Sequence, residues 1–264
     1  MEIGTSPRMQ DRVALVTGAA SGIGRVTARR FAREGARVIV ATDRNIPGAE
    51  ETVRLIREGG GEALFVRCDV SREEDVEAMV ARAVEAYGSL DYAFNNAGIG
   101  PDGIRIPVVS IVDCPVALWD RTIDVNLKGV FLCMKYEIQQ MLKQEYGSIV
   151  NTSSVGAFKP LPGFAAYGAS KTGLIGLSKV AALEVATSGI RVNVVCPGPT
   201  ERTRLMENLT SARPGERERT LKVIPMHRMA QPEEVAEAVL WLCSDASSFV
   251  TGHVMSVDGG MTSV

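Results

Sequence analysis

The sequence contains only two histidines in 264 residues, His227 and His253, and neither stands near a cluster of acidic residues or cysteines. A metal centre or a serine, histidine and acid triad has little to be built from, so acid–base chemistry must fall to other side chains. The five cysteines (Cys68, Cys114, Cys133, Cys196, Cys243) form no C-x-x-C pair and sit among apolar residues, which suits buried, reduced thiols and a cytoplasmic setting. No apolar run approaches the length needed to span a bilayer. There is no long basic stretch, and 29 basic side chains against 31 acidic ones give a formal charge of -2. Such a surface has no field to draw in phosphate backbones or anionic lipid, so neither nucleic acid nor a membrane is an expected partner.

Hydrophobic residues make up 45% of the chain, enough for a packed core and too many for a disordered chain. Length alone leaves one or two domains open; the order of elements decides. Residues 1–10, with Gly4, Ser6 and Pro7, read as a flexible tail. Val13–Val16 then reads as a strand running into a glycine-rich turn, followed by helical spacing over Ile23–Glu34. Arg37–Ala41 is almost continuously apolar, as expected of a parallel strand buried on both faces. A helix at Ala49–Glu58, a strand at Ala63–Arg67, a helix opened by a Ser71/Glu74 capping box and a strand at Tyr92–Asn95 follow. A long helix is expected from about Trp119 to Tyr146, then a strand at Ser148–Thr152, a helix at Gly163–Thr187 and a strand at Arg191–Cys196. The polar stretch 199–231 reads as an excursion near the substrate, ahead of a helix from Pro232 and a last strand at Val254–Val257. This alternation, with no linker or repeat, predicts one domain over 11–264: an α/β, doubly wound parallel sheet of three layers, with ligands at the carboxyl ends of its strands.

Two groups of residues carry chemistry. Thr17-Gly18-Ala19-Ala20-Ser21-Gly22-Ile23-Gly24 lies between the first strand and first helix, where missing Cβ atoms let a pyrophosphate approach backbone N–H groups at the helix N-terminus. About 20 residues further on, Asp43 stands at the end of the second strand, placed to hydrogen-bond ribose hydroxyls and repel a 2'-phosphate, which favours NAD. The neighbouring Arg44 could instead accept that phosphate, which leaves NADP open. The second group is Ser154, Tyr167 and Lys171, the last two on one face of a predicted helix. A phenol ionises near pH 10, and a neighbouring cation is expected to lower that value toward a usable acid or base.

Thr17-Gly18-x3-Gly22-Ile23-Gly24, Asn95-Asn96-Ala97-Gly98, Ser154 with Tyr167-x3-Lys171, Pro197-Gly198 and Val257-Asp258-Gly259-Gly260 occur in that order. Together they resemble the short-chain dehydrogenase/reductase family over roughly residues 11–260. The resemblance implies that Gly18, Ser21, Gly22, Ile23 and Gly24 cradle the pyrophosphate, that Asp69 and Val70 meet the adenine, and that Asn95, Ala97 and Gly98 support the adenosine side and the sheet. It places Pro197, Gly198 and Thr200 beside the cofactor too, although Arg202 stands where the family often has a threonine. It implies that Asn126 kinks the long helix and holds a water leading to the lysine, and that Ser154 orients the substrate oxygen. Tyr167 then exchanges its proton, while Lys171 lowers the tyrosine's pKa and binds the nicotinamide ribose. One departure bears on cofactor choice: the second strand runs one residue longer than the family pattern, so Thr42 competes with Asp43 for the selecting position.

The expected activity is hydride transfer between NAD and a secondary alcohol or ketone, by a homotetramer or homodimer. The alternatives are an NADP-dependent carbonyl or 3-oxoacyl reductase and a non-catalytic dinucleotide-binding regulatory protein. Enoyl reductases of this family generally separate tyrosine and lysine more widely than Tyr167 and Lys171.

Overall fold

The computed structural model describes residues 9–263. Residues 1–8 of the expected tail lie outside them, but Met9 does not behave as tail. Its side chain is buried and its amide donates to the Glu34 carbonyl at 2.9 Å.

Seven strands form one parallel sheet: β1 (Val13–Thr17), β2 (Arg37–Thr42), β3 (Ala63–Arg67), β4 (Tyr92–Asn95), β5 (Gly147–Thr152), β6 (Ile190–Pro197) and β7 (Val254–Val257). Their order across the sheet is β3-β2-β1-β4-β5-β6-β7. The chain winds outward from β1 to β3, then returns to lay β4 on the other side of β1. That reversal opens a crevice at the carboxyl ends of β1 and β4, where a doubly wound sheet binds its ligands.

The strands are buried on both faces because helices cover both. In β1, Leu15 points into a core shared with Met79 of α3 (Glu73–Tyr87), Leu132 of α5 (Gly129–Gln144) and Leu174 of α6 (Ala165–Glu184). Its neighbours Ala14 and Val16 point the other way, against Phe31 of α1 (Gly22–Arg33), Val53 of α2 (Ile46–Glu58) and Val239 of α9 (Pro232–Cys243). The two-residue period of a strand thus distributes one apolar run between two cores.

The long central helix is interrupted. α4 (Val116–Ile123) passes through a single π-type turn at Asp124–Lys128 into α5, and the fully buried Asn126 sits inside that turn. A widened turn of this kind displaces the ladder by one residue and is a feature of functional helices. The 199–231 segment holds two short helices, α7 (Arg204–Ala212) and α8 (Glu216–Lys222), and a parallel bridge between Thr200 and Ala230 closes its base.

The capping box expected at Ser71 does not form. Ser71 Oγ donates to Asp69 Oδ1 at 2.7 Å, and Arg72 occupies the cap position of α3. The carboxylate two residues upstream is the nearer acceptor and folds the segment into an Asx turn. Of the five cysteines, four are buried; Cys114 is partly exposed in the loop before α4.

Candidate active site

At the carboxyl edge of the sheet lies a cleft of about 410 Å³. One end is built by the glycine turn. Gly18 and Gly22 have φ of +65° and +53°, the left-handed region that an L side chain resists. A Cβ on Gly18 would stand 2.9 Å from Ala97 Cα, and one on Gly24 only 2.4 Å from the Gly18 carbonyl oxygen. Gly18, Ser21, Gly22 and Ile23 line the cleft; Gly24 does not, and instead lets α1 begin directly against the turn. Arg25 braces the turn from behind, donating to the carbonyls of Ala20 (2.6 Å) and Gly48 (3.0 Å).

Asn96 fastens the turn to β4. Its Nδ2 donates to the Thr17 carbonyl at 3.1 Å, and Thr17 Oγ1 accepts from the Asn96 and Ala97 amides at 3.0 and 3.1 Å. Ala97 and Gly98 line the cleft. Asn95 does not. Its side chain is buried beneath β4, where Nδ2 donates to Glu137 Oε2 (2.9 Å) and Asn151 Oδ1 (3.0 Å). Of the two roles that the resemblance implies, Asn95 thus stands with the sheet and not at the cleft, because the strand's alternation turns it toward α5 and leaves Asn96 for the turn.

On the β2–β3 side, Thr42, Asp43, Asp69 and Val70 all line the cleft. Thr42 closes β2 and Asp43 follows it, so both candidates for the selecting position reach the same space. Arg44 Nε donates to Asp43 Oδ2 at 3.3 Å. Asp69 also closes its own turn, accepting from the Ser71 amide at 3.0 Å. On the far side, Pro197, Gly198 and Thr200 line the cleft below α7. Thr200 Oγ1 donates to the Gly198 carbonyl at 2.9 Å, while Arg202 turns outward to an ion pair with Glu233. Thr203 rather than Arg202 faces the cleft.

Ser154, Tyr167 and Lys171 meet in the middle. β5 delivers Thr152, Ser153 and Ser154, and α6 delivers the tyrosine and lysine one turn apart. Lys171 Nζ donates to the Thr152 carbonyl (2.7 Å) and Ser153 Oγ to the Lys171 carbonyl (2.7 Å), which locks strand end to helix. Ser154 Oγ accepts from the Gly156 amide at 3.0 Å, so its hydroxyl proton is directed elsewhere. Gly100 packs so closely on the Tyr167 ring that a Cβ there would lie 3.0 Å from two ring carbons.

Asn126 is fully buried and does not line the cleft. Its Oδ1 accepts from the Ile99 amide at 2.8 Å, and its Nδ2 donates to the Ile99 carbonyl (2.8 Å) and Ser170 Oγ (3.2 Å). A Cβ on Gly98 would be 3.3 Å from Asn126 Oδ1 and 3.5 Å from Lys171 Nζ, so these side chains pack closely on the glycine.

The electrostatics differ from the expectation drawn from spacing. Burial raises the Tyr167 phenol above its ordinary value, with the Ser154 hydroxyl opposing the rise, and the lysine does not offset it. Lys171 Nζ is 5.8 Å from the ring centroid, and burial pushes its own pKa down to about 8. Desolvation governs both groups, because each is removed from water by the same packing.

These residues suit a nicotinamide dinucleotide. The cradle at Gly18 and Gly22 is open at backbone level, and Thr152 Oγ1 is buried at the cleft without a partner among the described residues. A doubly wound sheet with a glycine cradle at its switch point and serine, tyrosine and lysine beside it defines a dinucleotide-dependent α/β protein.

The chain belongs to the short-chain dehydrogenase/reductase family of oxidoreductases, whose members bind NAD or NADP and act on small molecules. The matching family profile, described as "Enoyl-(Acyl carrier protein) reductase", covers residues 18–262. The short chain dehydrogenase/reductase astE of Aspergillus oryzae is 42% identical over 255 residues, 96% of each chain. Cis-4-hydroxycyclohexanecarboxylate dehydrogenase of Sinomonas cyclohexanicum is also 42% identical, over 96% of this chain and 98% of its own. An A-factor type gamma-butyrolactone 1'-reductase of Streptomyces virginiae is 43% identical over 96% of both. Among the described residues no helix is long and apolar enough to cross a membrane.

Proposed function

We propose that this protein is an NAD-dependent dehydrogenase interconverting a secondary alcohol and its ketone. The observation that carries the reading is the convergence of the Ser154 hydroxyl, the Tyr167 phenol and the Lys171 ammonium beside the glycine cradle in one cleft. The bound nicotinamide supplies a hydride acceptor or donor; the protein's part is placement and proton traffic. Ser154, whose oxygen already accepts from Gly156, donates its proton to the substrate oxygen and fixes it. Tyr167 takes the hydroxyl proton of an alcohol, or gives one to the oxygen of a ketone, as the carbon–hydrogen bond breaks or forms.

Lys171, charged below about pH 8, stands one helical turn from Tyr167 and binds the nicotinamide ribose. Asn126 is a positioning residue in this reading: it ties the Ile99 segment to α6 through Ser170 and keeps Gly98 against the lysine. Asp43 at the end of β2 supports NAD, since its carboxylate repels a 2'-phosphate. Arg44 supports a second reading, an NADP-dependent carbonyl or 3-oxoacyl reductase, because the same guanidinium that meets Asp43 could turn to the phosphate.

The names of the relatives, a ring-alcohol dehydrogenase and a lactone-side-chain reductase among them, support alcohol–ketone chemistry. Phe131 and Leu142 on α5 and Val180 and Leu183 on α6 are exposed, which supports a homotetramer or homodimer, and buried thiols support a cytoplasmic setting.

The test is a screen of cyclic, aliphatic and hydroxyacyl alcohols with each cofactor, followed by nicotinamide absorbance. Turnover with NAD and little with NADP is expected. Equal use of both would overturn the cofactor assignment, and cofactor binding without turnover of any alcohol or ketone would favour a non-catalytic regulatory role.

A further inference from the structure

The carboxylates around the cleft are confined to one half of it, where Arg44 also lines the wall and pairs with Asp43. The carboxylates that line it, Asp43 and Asp69, follow β2 and β3 on one half of the sheet. The cations Arg105, Arg121, Lys159 and Arg204 follow β4, β5 and β6 on the other half, the side of Ser154 and Tyr167. No aspartate or glutamate lines that half among the described residues. Arg121, Lys159 and Arg204 have no ion pair or side-chain hydrogen bond among them either, whereas most surface arginines here are paired.

Arg105 is held differently. Its Nε donates to Asp102 Oδ2 at 2.9 Å, and Asp102 is fully buried, accepting also from the amides of Ile104, Arg105 and Ile106 and from Asn208 Nδ2 of α7. One guanidinium is thus fixed at the cleft by a carboxylate that itself never faces it, while Arg105 Nη1 has no partner among the described residues.

We propose that the substrate carries an anionic group, a carboxylate or phosphate, on an apolar body, and that Arg105, Lys159 and Arg204 receive it. The proposal rests on the dehydrogenase reading and adds the chemical class of its alcohol. The apolar body meets Leu161, Phe164, Leu205 and Met206, which share the same half of the cleft. A cleft lined by one sign of charge between apolar walls concentrates the field on a bound anion. The dinucleotide's own phosphates have the glycine turn and the N-terminus of α1. Arg204 follows Thr203, whose Cγ2 would lie 3.5 Å from a Cβ on Gly22 in that turn, and so it must be tested separately.

The experiment measures binding of cyclohexanecarboxylate, cyclohexyl phosphate and neutral cyclohexanecarboxamide to the NADH-loaded protein by calorimetry. Wild type is compared with Lys159→Glu and Arg204→Gln, both at exposed or half-exposed positions. At least one anion should bind about tenfold more tightly than the amide, with the preference falling as salt rises and lost in Lys159→Glu. The relative strength of carboxylate and phosphate identifies the group. Equal affinity for anion and amide would overturn the proposal, as would a preference untouched by Lys159→Glu or variants that weaken only NADH. Because no turnover is needed, failure of the dehydrogenase reading would show separately, as absent activity in the alcohol screen.

Discussion

Glu137 is a carboxylic acid buried in the core with one hydrogen bond among the described residues. Its Oε2 accepts from Asn95 Nδ2, while among the described residues neither its Oε1 nor the adjacent Asn95 Oδ1 has a partner. Burial pushes its pKa from 4.5 up to about 8. A group whose folded value is raised contributes stability that is fully present below the unfolded value and is lost as pH rises through the folded one. At 1.36 kcal/mol per unit, the loss between about pH 5 and pH 8.5 is about 4 kcal/mol. Glu137→Gln removes the titration while keeping an acceptor for Asn95 Nδ2, and it supplies a donor for Asn95 Oδ1. Urea denaturation across that range should show the variant gaining on wild type steadily, by about 4 kcal/mol at the alkaline end. Two curves that run parallel within about 0.5 kcal/mol would mean that Glu137 is ionised in the fold and that the account of this buried cluster is wrong.

Gly24→Ala places a methyl 2.4 Å from the Gly18 carbonyl oxygen; thermal unfolding should show a loss of about 1–3 kcal/mol, and titration at least about tenfold weaker cofactor binding. Asp43→Ala should raise kcat/KM with NADP relative to NAD, and an unchanged ratio would move the selecting role to Thr42. Asp102→Ala strips Arg105, Asn208 and three amides of one shared acceptor, so it should cost about 3 kcal/mol and expose α7 and α8 to limited proteolysis.

The sheet was readable in the sequence because its strands are short apolar runs set between glycine turns and helical periods, and each such run from Val13 to Val257 became a strand. The glycine cradle and the meeting of Ser154, Tyr167 and Lys171 were also legible, since each is a local signal at a strand end. What escaped depended on distant partners. The burial of Asn95 is not legible locally, because its partner Glu137 lies 42 positions away. Asp102 carries no local signal, because Asn208, which makes it a junction of two cleft walls, lies 106 residues on. Spacing showed the cation near Tyr167 but not the burial that outweighs it. The Ser71 capping box failed for a simpler reason, competition from Asp69 at close range.

In the proposed reaction the Tyr167 phenol carries the proton. Tyr167→Phe removes that hydroxyl while leaving the ring against Gly100 and Phe164, so folding and cofactor binding should persist. Steady-state turnover of an accepted alcohol, measured beside cofactor affinity, should then fall by about 10²-fold or more with the cofactor Kd little changed. Near-wild-type turnover in that variant would contradict the account.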